Sequence, residues 1–281
     1  MRGVVLWSPG TESLHANSSE VPMSPKKTGI AIALCIAVLG AAAAKRVHPP
    51  AEYRSCSDVL SAQVCTWAVV QDGDVVELGA TVPLSMVEAV TPPPQMVWPP
   101  QELATVPIPE EARQALGIDH LGINWEAFGH PPESFTTPHF DFHFYNITSR
   151  QVGAIDCTDT SKPARLPAQY TLPDVDVPGL GTLVGLCVPH MGMHAMLDKE
   201  VAETAPFEAS MMVGYYAGRP IFIEPMISRD VLLSRKTFSI EVPTVRALPK
   251  GVRYPTRFRA EYDADRKAYR LIFSGFGSDV G

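Results

Sequence analysis

Proline sets the strongest limit on what this chain can fold into. Each proline fixes φ at about −65° and removes a backbone donor, and 27 of them, with 20 glycines, are spread over 281 residues. A long-helix bundle or coiled coil cannot be threaded through most of such a sequence. Short strands joined by turns can. Because 46% of the residues are hydrophobic and 19% charged, the chain has enough apolar material for a packed core, which excludes disorder as its main state. The formal charge is −7 and no run of Lys and Arg is interleaved with aromatics, so a nucleic-acid surface is excluded.

Strand signals dominate. Thr66–Val70 and Val75–Leu78 flank Asp72-Gly73, a hairpin signature. From Pro138 onward, His139–Ile147, Thr182–Val188, Met211–Tyr216, Pro220–Ile227, Thr237–Val242, Arg257–Tyr262 and Ala268–Phe273 carry the β-branched and aromatic residues of strands. Two hairpins are expected, through Ala217-Gly218-Arg219 and through Asp263-Ala264-Asp265-Arg266. The prolines of residues 91–109 argue against regular structure there and predict an extended strap within one domain. Glu110–Leu116 reads as a short helix, with Pro109 at its start and Gly117 just past its end. The expected fold is mainly β: a single-domain sandwich or barrel with a proline-rich strap and one or two short helices.

The N-terminus reads as a targeting segment. Lys26 and Lys27 precede the apolar stretch Thr28–Ala44, and Ala42-Ala43-Ala44 before Lys45 forms a small-residue cleavage site. Residues 1–44 are therefore expected to be an export signal with an upstream extension, Met23 being the better start, and residues 45–281 a single β-rich domain with no retained membrane span. The expected location is the periplasm or extracellular space. Past residue 44 the cysteines are Cys56, Cys65, Cys157 and Cys187, an even set that suggests two disulfides with three possible pairings. Proximity favours Cys56–Cys65 and Cys157–Cys187. No CxxC pair occurs, which argues against a zinc ribbon.

Histidines carry the chemistry. His130, His139, His143, His190 and His194 lie within 65 residues of one another along the chain, and such clustering points to a metal site. In PHFDFHFY the period of a strand puts His139, Asp141 and His143 on one face and Phe140, Phe142 and Phe144 on the other. Residues four apart on a strand are about 13 Å apart, so His139 and His143 share one ion only by leaning together or across a bulge. The spacing of His190 and His194 around Gly192 suits a turn. In IFIEPM, Glu224 shares a strand face with Phe222 and Met226, and a carboxylate in so apolar a run calls for a cation or a solvated face. His130 could join the site or order a loop.

Trp125–Pro132, the PHFDFHFY strand, the H-x-x-x-H turn His190–His194 and the hairpin Gly214–Met226 together resemble a family of exported bacterial β-rich proteins of uncharacterised function, over about residues 65–275. The resemblance implies one exported β domain and a role for His139, Asp141, His143 and Glu224, but no reaction. A weaker likeness links the ligand types to metal-binding cupins, whose His-x-His pair is absent here.

The leading expectation is an exported metal-binding protein, and beyond that a small-molecule metalloenzyme of unknown reaction. His139, His143, His190, His194 and Glu224 would be metal ligands, and Asp141 and Glu224 catalytic or orienting groups. The donors suit a divalent transition metal, Zn, Mn, Fe or Cu. The alternative is a non-catalytic ligand-binding or homo-oligomeric assembly protein, for which Tyr215, Tyr216 and the strap would form the contact surface. A metal-free hydrolase lacks a nucleophile, since no G-x-S-x-G is present.

Overall fold

The structure, a computed structural model, describes residues 49–277. The expected export signal, its cleavage point after Ala44 and the start at Met23 fall outside the described residues. Fifteen strands follow in order: β1 (Ala51–Val59), β2 (Ala62–Gln71), β3 (Asp74–Pro83), β4 (Glu102–Pro107), β5 (His120–Glu126), β6 (His139–Tyr145), β7 (Tyr170–Thr171), β8 (Val175–Val177), β9 (Gly181–Leu183), β10 (Met193–Leu197), β11 (Ala209–Tyr216), β12 (Arg219–Ser228), β13 (Phe238–Ile240), β14 (Arg257–Asp263) and β15 (Ala268–Ser274). They form a six-stranded sheet in the order β1-β2-β3-β15-β14-β13, a seven-stranded sheet in the order β4-β5-β6-β12-β11-β10-β7, and a small β8-β9 hairpin. All pairs are antiparallel, and neither large sheet closes on itself, so the sandwich is realised and the barrel is not.

The main core lies between the two sheets. Phe140, Phe142 and Phe144 of β6, with Ile223 and Ile227 of β12, pack with Leu78, Ala80, Leu271 and Phe273 of the six-stranded sheet. Phe144 meets Phe273 edge to face at a centroid distance of 5.0 Å, a geometry the ring quadrupoles favour. A second apolar layer covers the other face of the seven-stranded sheet. Phe135, Leu186 and Phe207 pack there on Met196, Met212 and Met226, beside a cluster containing Tyr145, Ile155, Met193 and Phe222. This cover comes from the loops between β5 and β6 and between β6 and β11. The disulfide Cys157–Cys187, spanning 30 residues, ties it together, while Cys56–Cys65 links the cross-strand partners of β1 and β2.

Turn chemistry explains the hairpins. Asp72 and Gly73 both have positive φ, as do Ala217 and Gly218, the requirement of tight turns whose twist matches that of the strands. The helix Glu110–Leu116 starts after Pro109 and ends on left-handed Gly117. Two expectations are corrected. Residues 102–107 of the strap form β4, which lies at a sheet edge where Pro107 ends the strand without loss of a ladder bond. Thr182–Val188 is not one strand, because the chain leaves β9 into a 3-10 turn in which Gly185 has a φ of 62°. Strands β1 and β5 carry no expectation from the sequence, and β10 begins inside the turn expected over His190–His194; β5 and β10 bring residues to the site.

Candidate metal centre

One strand builds both the core and the site. With its phenylalanines committed to the sandwich, β6 must present His139, Asp141 and His143 to the cover layer. Register does the rest. On one side, Asn124 of β5 stands abreast of Asp141, and Glu126 abreast of His139. On the other, β12 pairs with β6 at Phe222 and Ile223 and again from Met226 to Ser228; Glu224 and Pro225 occupy the gap between. Proline supplies no ladder donor, and the same register on both sides of the gap sets Glu224 beside His143. Further along, His194 of β10 faces Gly214 of β11, and Gly214 faces Phe222. A Cβ at Gly214 would run into the Phe222 ring. Its absence lets Phe222 lie against both imidazoles, 4.8 Å from His143 and 5.2 Å from His194 between ring centroids.

Two donor groups result: His143, His194 and Glu224, and His130, His139 and Asp141, each with its ligand atoms within 4.8 Å of one another. His143 Nε2 is 3.7 Å from Glu224 Oε1, His194 Nε2 is 4.0 Å from Glu224 Oε2, and His139 Nε2 is 3.3 Å from Asp141 Oδ1. These separations exceed hydrogen-bonding distance. They lie near the roughly 3.4 Å that separates two ligands of one tetrahedral ion at bonds of about 2.1 Å. Consistent with this, His139 Nε2, Asp141 Oδ1, both ring nitrogens of His143 and Glu224 Oε2 are buried without a hydrogen-bond partner. Such orphaned groups are costly unless something else engages them.

The tautomers fit the same reading. A carbonyl can only accept, so the Nδ1–H of His130 donates to Pro131, that of His139 to Thr137 and that of His194 to Leu186, at 2.8, 2.6 and 3.1 Å. Each bond leaves the Nε2 lone pair directed away from the backbone, the arrangement that orients metal-binding imidazoles. Burial holds the histidines neutral: His139 and His143 lie well below the ordinary histidine range and His194 at about 4. Burial also pushes Glu224 up to about 8, with the Glu126 charge adding to the effect, and Glu126 up to about 7. Asp141 is raised by burial and then by Glu224 and Glu126. Among the described residues no Lys or Arg pairs with any of these three carboxyl groups.

The structure separates the expected ligands. His143, His194 and Glu224 come together; His139 and Asp141 join His130 instead, as the length of the strand between His139 and His143 requires. His190 lies in neither group. It is exposed in a turn at a φ of 63°, with Nδ1 bonded to the Gly153 carbonyl at 3.0 Å. The predicted H-x-x-x-H turn is therefore a turn at His190 only, since His194 is in β10. Tyr215, assigned to a contact surface from sequence, is buried. The sequence reading missed Asn124 and Glu126 altogether. Their signal is the alternation in HLGINWE, which places His120, Asn124 and Glu126 on one face, but Gly122 and Asn124 are poor strand residues and hid it.

No family model, no curated protein and no solved structure matches the chain. The assignment of chemistry therefore rests on the site. All donors but His130 are at most 9% exposed, and His130 is half-buried, so the arrangement can hold a cation away from bulk water.

Proposed function

We propose that this chain is an exported metal-binding protein whose His143, His194 and Glu224 hold a divalent transition metal, and that it acts as a small-molecule metalloenzyme. The observation that carries the reading is the triad of buried, mutually close donors, in which both ring nitrogens of His143 and Oε2 of Glu224 have no hydrogen-bond partner. Two imidazoles and one carboxylate suit zinc, manganese, iron or copper better than calcium or magnesium, which prefer all-oxygen ligands. A cation there would supply Lewis acidity next to a wall of Phe222 and Met226.

The residues around it have distinct tasks. The Leu186 carbonyl fixes the His194 ring, Phe222 excludes water from one side, and Asp141, whose Oδ1 has no hydrogen-bond partner and lies 3.3 Å from His139 Nε2, adds a carboxylate beside the triad. Export is supported by the signal-like N-terminus and by the two disulfides. The family of exported bacterial proteins that the motifs resemble belongs to the same proposal. The second reading, a homo-oligomeric assembly protein, is favoured by Met96 and Val97 of the strap, which are 61% and 46% exposed.

Elemental analysis of the purified protein beside His194→Ala tests the proposal. Near-stoichiometric transition metal in the wild type, lost in the variant, supports it. A metal-free wild type would sink it, and a stable oligomer unchanged by chelation would then favour assembly.

A further inference from the structure

The three buried carboxyl groups do not divide evenly between the two donor groups. Glu224 belongs to the first and Asp141 to the second, whereas Glu126 belongs to neither, although it is 9% exposed and stands abreast of His139 on the same sheet face. Directly opposite residues have Cβ atoms about 5 Å apart, so a change of rotamer would bring the Glu126 carboxylate, which stands outside the 4.8 Å donor group in this structure, towards the ligand atoms of His139. Along β6, Asp141 lies two residues from His139 and two from His143, about 6.6 Å each way.

Building on the metal-binding reading above, we propose that the two donor groups are halves of one centre for two divalent cations, with Glu126 the fourth protein ligand of the His130–His139–Asp141 half. The halves then differ in kind. Four protein ligands, two imidazoles and two carboxylates, close a tetrahedral site, which is the structural pattern. Three ligands at His143, His194 and Glu224 leave a position open, which is the catalytic pattern. The orphaned atoms agree with two ions: His139 Nε2 and Asp141 Oδ1 on one side, His143 Nε2 and Glu224 Oε2 on the other, lack partners simultaneously.

The test is a titration of the chelator-treated full-length protein with Co²⁺, followed by ligand-field absorption and by elemental analysis after desalting. The wild type should saturate at two equivalents. His139→Ala and His194→Ala should each saturate at one, and Glu126→Gln should weaken one of the two equivalents by at least tenfold without affecting the other. Saturation of the wild type at a single equivalent, with His139→Ala unchanged, would overturn the two-cation centre and leave the triad at His194 standing. Two full-strength equivalents in Glu126→Gln would remove Glu126 from the ligand set. No binding to the wild type would overturn the metal-binding reading itself. The wild-type stoichiometry decides the main point even if a histidine variant fails to fold.

Discussion

At Glu224 the pH dependence of the metal-free fold can be worked out. Its carboxyl ionises at an ordinary 4.5 in an unfolded chain but at about 8 in the fold, so between these values the native state keeps a proton that the unfolded state has lost. Stability then falls as pH rises through that window. His194 acts at the other end. It titrates at about 4 in the fold against an ordinary 6.5, so the unfolded chain takes up a proton that the native chain refuses, and stability falls as pH drops from 6.5 towards 4. Chelator-treated protein should therefore melt at a lower temperature at pH 8 than at pH 6.5, and cation-loaded protein should lose most of this dependence because the ligands are then already deprotonated. Glu224→Gln should flatten the alkaline decline of the metal-free protein while abolishing cation binding. Thermal melts at the two pH values check both statements, and an unchanged slope in the variant would refute the assignment of the titration to Glu224. Of the residues concerned, His139, Asp141, His143 and Glu224 were legible in the sequence because each interrupts an apolar strand with a coordinating group, whereas His194 was singled out only by its spacing from His190, in an expected turn that is a strand at His194. His190 was misread because its spacing from His194 looked like a pair. Only the turn, with its positive φ and its bond to Gly153, shows that the two side chains part.

At the scale of elements, β6 and β12 were the most legible, β6 by its alternation of aromatic and coordinating residues and β12 by its nearly continuous apolar run, which suits a strand buried on both faces. Strand β5 was not, because the residues it places in the site are polar or lack a side chain, and its conformation is imposed by its neighbours β4 and β6. Two changes test how far these elements, as opposed to the ligands, set the centre. Gly214→Ala adds a methyl group where the Phe222 ring lies and should cost about 1–3 kcal/mol, with cation affinity falling although no ligand is touched. Equilibrium denaturation beside Co²⁺ titration reads both effects. Replacing Cys157 and Cys187 by Ser opens a 30-residue loop and should cost about 3–4 kcal/mol by the entropy of loop closure. It should also speed loss of the cation to a chelator, because the 187 end adjoins Leu186, whose carbonyl orients His194. A variant that loses stability but keeps the wild-type release rate would show that the cover does not control access.

At the scale of the whole molecule, the mainly β architecture, the hairpins at Asp72-Gly73, Ala217-Gly218 and residues 263–266, and the helix Glu110–Leu116 followed from proline distribution, strand periodicity and turn residues. The choice between sandwich and barrel did not, because closure depends on how sheet edges meet and no local signal encodes it. The cover layer was equally illegible. It is made of loops between the second-sheet strands, and their packing is fixed by long-range contacts such as Phe135 and Phe207 on Met212 and Met226. Removing the cation from the intact protein should lower its melting temperature in a concentration-dependent way, by an amount equivalent to about 4 kcal/mol when the free ion had been at a thousand times its dissociation constant. Near-complete burial of the ligands also has a bearing on timing. A cation can enter or leave such a centre only when the cover opens, and covered regions open rarely. A cation held there would exchange at the rate at which the cover opens, so that loading and stripping are timed by the loops above the sheet and not by the strength of the bonds beneath them.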